Sequence, residues 1–163
     1  MPIKIRKMTN DEFEKFYQWS VTDHARELME EAQMSQDEAV KKSKDEVAQM
    51  LPEGLDTEDN YLASVVEEDS GEVVGFIWTI HEETSGKKQN FVCDFAIRES
   101  KRRKGYGTAA MRLVEKYALE AGCVESVLFV TDANHAAREL YQKCGYQLLR
   151  QAGHGRYMIK QLS

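Results

Sequence analysis

Cysteine is scarce in this chain. Among 163 residues there are only Cys93, Cys123 and Cys144. An odd, sparse set without Cys-x-x-Cys spacing points away from a disulfide framework and from structural zinc. Each cysteine reads as a small apolar packing residue, and the cytoplasm is the natural location. No His/Cys/Asp cluster has ligand spacing, so no metal is expected. Long apolar runs are missing too: none approaches the ~18 residues needed to span a membrane, and Met1-Pro2-Ile3-Lys4 has no signal-peptide shape. Nor is there a basic excess. A net charge of −6 argues against a general nucleic-acid binder. Repeats, low-complexity tracts and linkers are likewise absent, and the length suits one domain, residues 1–163, with a real core.

What is present is ordered by periodicity. Ile3 and Ile5 alternate with Lys4 and Arg6 as a first strand. Thr9-Asn10-Asp11-Glu12 reads as a capping box before a helix whose stripe carries Phe13, Phe16, Tyr17, Val21, His24 and Leu28. A second box, Ser35–Glu38, starts a helix ending near Leu51, with Pro52-Glu53-Gly54 as its stop. Strands follow at 61–66, 73–81 and 91–97, with turns at 67–71 and 84–87. A helix then runs to Gly122, a strand from Val124 to Thr131 and a short helix from Asn134 to Lys143. The last strands are 145–149 and 157–159. Short turns imply antiparallel pairing, and the helix between Ile97 and Val124 implies a parallel crossover. The expectation is one α/β domain on a mixed sheet. Acids dominate from Asp11 to Asp59, which reads as solvated helix surface or as a field that attracts a cation.

The densest chemistry lies at Arg102-Arg103-Lys104-Gly105-Tyr106-Gly107-Thr108. A glycine-spaced turn between a strand and a helix offers unpartnered backbone N–H groups and the positive end of the helix dipole to an anion. Gly105 and Gly107 keep side chains out of a ligand's way, and the cations Lys101 to Lys104 add a field for phosphates. A mononucleotide-phosphate site is disfavoured, because Gly-Lys-Ser/Thr is missing and no acidic ribose residue follows in a βαβ setting.

The strand Phe91–Ile97 followed by Arg102-x-x-Gly105-x-Gly107 resembles the acetyl-CoA motif of the GNAT superfamily of N-acetyltransferases. The segment Val130-x-x-x-Asn134-x-x-Ala137-x-x-Leu140-Tyr141-x-x-x-Gly145-Tyr146 resembles that family's second motif. The resemblance implies a mixed, mostly antiparallel sheet, splayed between its fourth and fifth strands and flanked by helices. It implies acetyl-CoA as donor, with Phe95, Ala96 and Ile97 along the pantetheine and acetyl group. Arg102, which opens the motif, joins Arg103, Lys104, Gly105, Tyr106, Gly107 and Thr108 around the pyrophosphate. Asn134 would touch the cofactor arm; a helix N-cap is compatible with that role. Tyr141 would face the thioester sulfur.

The reaction so implied is attack of a neutral primary amine on the thioester, with a backbone N–H near Phe95 to Ile97 stabilising the oxyanion. Tyr141 would protonate the departing thiolate. The base departs from the family's pattern. Cys93 and Phe129 stand where relatives carry glutamates, leaving Asp94 as first candidate, Glu82 and His81 as others, or water. The acceptor site is expected between the helices 10–51 and the turn at Gly153-His154-Gly155, with Tyr17, Trp19 and Trp78 as lining candidates. A cationic acceptor, no nucleic acid, no membrane, and a monomer or homodimer complete the expectation. The alternative is a non-catalytic acyl-CoA-binding or regulatory module of the same fold.

Overall fold

The computed structural model describes residues 2–163, which divide into two compact units. The smaller, Met8–Glu58, contains α1 (Asn10–Glu31) and α2 (Gln36–Met50). Thr9 and Glu12 form the full capping box at α1. At α2 the Ser35 side chain accepts from the Glu38 N–H at 3.3 Å. The two helices are tied by a buried bond from Ser43 Oγ to the Val21 carbonyl at 2.6 Å, and by the His24 ring against the Glu46 carboxylate.

The larger unit, the chain up to Lys7 with Asp59–Ser163, is a seven-stranded sheet with two helices. In chain order it has β1 (Ile3–Lys7), β2 (Asn60–Glu67), β3 (Val73–Thr84) and β4 (Lys87–Ile97). Then come α3 (Tyr106–Glu120), β5 (Glu125–Thr131), α4 (His135–Lys143), β6 (Gln147–Ala152) and β7 (Gly155–Gln161). The spatial order is β1-β2-β3-β4-β5-β7-β6, antiparallel throughout except for the parallel pair β4–β5 that α3 connects. The expected element order and mixed sheet are both present. β4 begins at Lys87 rather than Phe91, because the polar stretch 87–90 completes a tight hairpin with β3 through Thr84↔Lys87.

Two features decide where the sheet opens. β4 pairs with β5 only from Gln89 to Val92, against Glu125 to Leu128. Immediately beyond, β4 carries a bulge: Thr79 faces Val92 and Trp78 faces Asp94, so Cys93 is an extra residue. An extra residue bends and twists its strand. β4 therefore stays with β3 through Ile97 while β5 stays with β7 through Thr131, and the pair parts.

One apolar cluster joins Ile77, Val92, Leu128 and Met158 of the sheet to Met111 and Val114 of α3 and Tyr141 of α4. A second gathers Ile3, Val65, Val74, Ile97, Tyr106 and Ala110. The closed end of the β4–β5 pair is held by a buried polar chain. Asn90 Nδ2 donates to Ser126 Oγ at 3.0 Å. The Tyr146 hydroxyl lies 2.8 Å from Ser126 Oγ and 3.1 Å from Glu115 Oε2. With one proton, it donates to the carboxylate and accepts from the serine. Lys160 Nζ closes the chain on Glu115 Oε1 at 2.7 Å. The three cysteines are free thiols, Cys123 and Cys144 buried, and no helix among the described residues is long and apolar enough to cross a membrane.

Tyr146→Phe removes one link and leaves Ser126 and Glu115 short of a partner. It should cost ~1–3 kcal/mol, read from the urea midpoint at unchanged slope. An unmoved midpoint would mean that the chain contributes nothing to stability.

Candidate active site

Where β4 and β5 part, a cleft of about 590 Å³ opens in the larger unit. Phe95, Ala96 and Ile97 of β4 form one wall. The loop and start of α3 contribute Arg102, Arg103, Gly105, Tyr106, Gly107 and Thr108; Asn134 and Tyr141 come from the α4 side. Lys101 lines the cleft as well, whereas Lys104 and Asp94 are not among its wall residues.

The turn before α3 is built for exposed N–H groups. Arg103 and Gly105 both have left-handed φ, 64° and 80°. Nothing in the fold lies within 4 Å of where a Gly105 Cβ would stand, so glycine is favoured there by conformation, not by crowding. No side chain among the described residues caps α3, whose first helical bond runs from Ala109 N to Gly105 O at 3.1 Å. The preceding N–H groups thus lack helical partners at the positive end of the dipole. Gly107 lines the cleft and has a second constraint. A Cβ there would sit 3.2 Å from Leu140 Cδ2, so this glycine lets α3 approach α4, instead of merely clearing space for a ligand.

The cation run is also partly spoken for. Lys101 Nζ lies 2.9 Å from Glu72 and 3.4 Å from Glu67, and Arg102 Nε donates to the Ile97 carbonyl at 3.0 Å. Tyr106 turns its ring into the apolar cluster, 2% exposed, and donates to Glu67 Oε2 at 2.5 Å. Only its backbone can meet a ligand in the cleft. Glu67 was missed in the sequence, where it reads as the start of an acidic turn. Alternation gave no signal for it, since both faces of β2 are buried from Leu62 to Glu67. The bonds from Tyr106 first, then Ser70, hold the Glu67 carboxyl down to about 2 against the cost of burial, and Lys101 assists.

Tyr141 is 8% exposed, its ring edge-on to Tyr146 at 6.0 Å. Burial first, then the charge of Asp94, raise its phenol above the ordinary value, so it keeps its proton. Burial first, then Asp94 and Glu82, likewise raise the Cys93 thiol. Asp94 therefore acts electrostatically on both. His81 lies opposite Asn90 and Glu82 opposite Gln89, in the stretch where β4 is still bonded to β5; Asp94 lies past it. The His81 ring packs on Tyr117 at 5.6 Å, and burial followed by Lys88 lowers its pKa. Phe129 meets His154 and Tyr157 edge-on, at 5.7 and 5.0 Å, with the Arg150 guanidinium 4.3 Å above Tyr157. Asn134 caps α4, its Oδ1 accepting from Ala137 N at 3.2 Å. Trp78 is buried and donates to Asn60 at 2.7 Å. Tyr17 and the exposed Trp19 belong to α1. Among the described residues, no group of three or more His, Cys, Asp and Glu could hold a metal ion.

The model of the acetyltransferase (GNAT) family matches residues 14–146. An uncharacterised N-acetyltransferase of Bacillus subtilis, YdgE, is 30% identical over 148 residues, covering 91% of this chain and 94% of its own. The crystal structure of the acetyltransferase YycN, also from Bacillus subtilis, superposes with a TM-score of 0.84 at 26% identity, over 93% of this chain and 96% of that one. Spermidine N-acetyltransferase from Vibrio cholerae, solved with CoA and spermine, shares the fold at a TM-score of 0.70 and 13% identity, over 98% and 95% of the two chains.

The depressed Glu67 pKa has a signed consequence. Its stabilisation is fully present above the usual carboxyl value of 4.5 and is lost as pH falls toward about 2. Glu67→Gln has nothing to titrate there. The melting-temperature advantage of wild type over that variant should therefore shrink as pH drops through this window. A gap that stays constant or widens would contradict the assignment.

Proposed function

Because the chain belongs to the acetyltransferase (GNAT) family and is an acyltransferase, we propose that it moves an acetyl group from acetyl-CoA to a primary amine by direct attack in a ternary complex. The observation that carries this reading is the cleft beside the end of β4, beyond its last pair with β5, which opens onto the uncapped start of α3 and is walled by Tyr141 of α4. Acetyl-CoA supplies an activated thioester. The Gly105–Thr108 backbone binds its pyrophosphate with unpartnered N–H groups. Phe95 to Ile97 lie along the pantetheine, and a backbone N–H there meets the charge that develops on the carbonyl oxygen. Arg102, Arg103 and Lys104 add positive charge, and the Asn134 amide reaches the cofactor arm while its oxygen caps α4.

Tyr141 serves as general acid. Burial beside Asp94 keeps the phenol protonated, so a proton is available for the departing sulfur. Asp94 is the base, or orders the water that takes the amine's proton; Cys93, raised by burial, does neither. The acceptor is a cation before it reacts, as any primary amine is. A chain of net charge −6 attracts it, and the polyamine held by the Vibrio cholerae neighbour is consistent with that class. The same reading takes residues 1–163 as one functional domain, supported by a family match that runs across both compact units.

Free thiol released from acetyl-CoA in the presence of a panel of primary amines tests the activity; binding of CoA without release would favour a non-catalytic module. Within an active enzyme, Tyr141→Phe keeps the ring and removes the proton. The kcat should fall by ~10²-fold, with the Kd for acetyl-CoA and the melting temperature little changed. Near wild-type kcat, with chemistry rate-limiting, would hand the proton to water.

A further inference from the structure

Glu67 ends β2, opposite Ile3 of β1, and is 2% exposed. A carboxylate is costly to bury, and an apolar side chain would fill the place with less penalty. Its partners all lead toward the cleft or hold the carboxylate still. Oε2 accepts from the Tyr106 hydroxyl at 2.5 Å and lies 3.4 Å from Lys101 Nζ, and Oε1 accepts from Ser70 Oγ at 2.7 Å. The main chain around it is closed by Glu67 N donating to Glu72 O and Gly71 N donating to Glu67 O, both at 2.9 Å. Lys101 ends the helical turn Glu99–Lys101, and Tyr106 begins α3. One fixed carboxylate thus grips both ends of the segment 101–106. Between the grips lies Arg103, a non-glycine residue with φ 64°, a conformation that persists only where its surroundings impose it.

We infer that Glu67 is a positioning residue for the donor's phosphates: by holding Tyr106 and Lys101 it sets the turn whose N–H groups face the pyrophosphate. The inference rests on the acetyl-CoA reading above. Glu67 has a second, opposing effect, since its charge also neutralises part of Lys101, and removing it frees that cation toward the phosphates. Tyr106→Phe is therefore the clean probe, because it cuts the anchor and leaves every charge and the packed ring in place.

The decisive comparison uses two donors, acetyl-CoA and S-acetylpantetheine, which share the thioester and differ in the phosphates. In Tyr106→Phe the KM for acetyl-CoA should rise by about tenfold, the loss of one charge-assisted hydrogen bond. The KM for S-acetylpantetheine and both kcat values should hold. Glu67→Gln keeps an acceptor for Tyr106 and should restore a KM for acetyl-CoA no higher than wild type. Glu67→Ala loses the anchor and also frees Lys101, so its KM for acetyl-CoA should rise by less than that of Tyr106→Phe, and combining the two should not exceed Tyr106→Phe alone; if Glu67→Ala does not fold, the other two variants decide. A parallel rise for both donors would reduce Glu67 to general stability, and no rise for either would remove it from the site, so either result overturns the inference. Wild-type protein that fails to bind CoA in a calorimeter overturns the acetyl-CoA reading itself, and shows this before any variant is made.

Discussion

The single extra residue at Cys93 is the constraint on which the rest depends. A parallel pair can run on only while both strands keep one register and one twist. The bulge ends that agreement after Val92, so the β4–β5 ladder stops at four residue pairs. β5 then follows β7, β4 follows β3, and the freed end of β4, Phe95 to Ile97, becomes a wall of the cleft. A sheet interrupted in its middle must be secured elsewhere. Here the closed end is pinned by the buried chain from Asn90 through Ser126 and Tyr146 to Glu115 and Lys160, with Gln89 reaching Glu125 at 3.2 Å. These ties lie at one end of the pair, and the strands diverge at the other.

The open end is bounded by helices whose placement leaves little slack. Gly107 lets α3 come against Leu140 of α4, and the Tyr106 ring fixes the first turn of α3 among Ile3, Val65, Val74 and Ile97. The N–H groups that face the cleft are consequently positioned by core packing on one side and by the Glu67 carboxylate on the other. A ligand meeting such a turn has little ordering left to impose, and in that sense it is pre-organised.

Much of this was legible in the chain, and the parts that were not share a cause. The strands and helices announce themselves by period, and the two motifs, by their residues and order, gave the cleft residues 95–97, 102–103, 105–108, 134 and 141. What alternation does not encode is a one-residue slip. The run Phe91–Ile97 is apolar nearly throughout, so the bulge inside it leaves no trace, and neither does the exact place where β5 departs. Side-chain partners between distant segments are invisible for a related reason. Lys101 and Arg102 read as free cations, whereas three-dimensional neighbours, Glu72 and the Ile97 carbonyl, engage them. Glu67 reads as turn and is core.

The two partners of the proposed reaction carry opposite charge, and the chain meets them by different physics. Its net charge of −6 is a diffuse field that favours a cationic amine and disfavours a polyphosphate. Attraction of the donor therefore cannot come from overall charge. On the proposed reading it is local: backbone N–H dipoles at the start of α3, with Arg103 and Lys104 close in sequence and Lys101 largely balanced by Glu72 and Glu67. Local dipoles act over hydrogen-bond distances and are little screened, whereas the diffuse field decays over a Debye length of ~8 Å at physiological salt. Neutralising Lys101 has a use in this scheme. It ties the phosphate turn to the hairpin at the end of β2, and leaves recognition to groups whose direction the fold determines. In the proposed reaction anion selectivity would then follow from geometry, and the acidic surface would remain free to gather the acceptor.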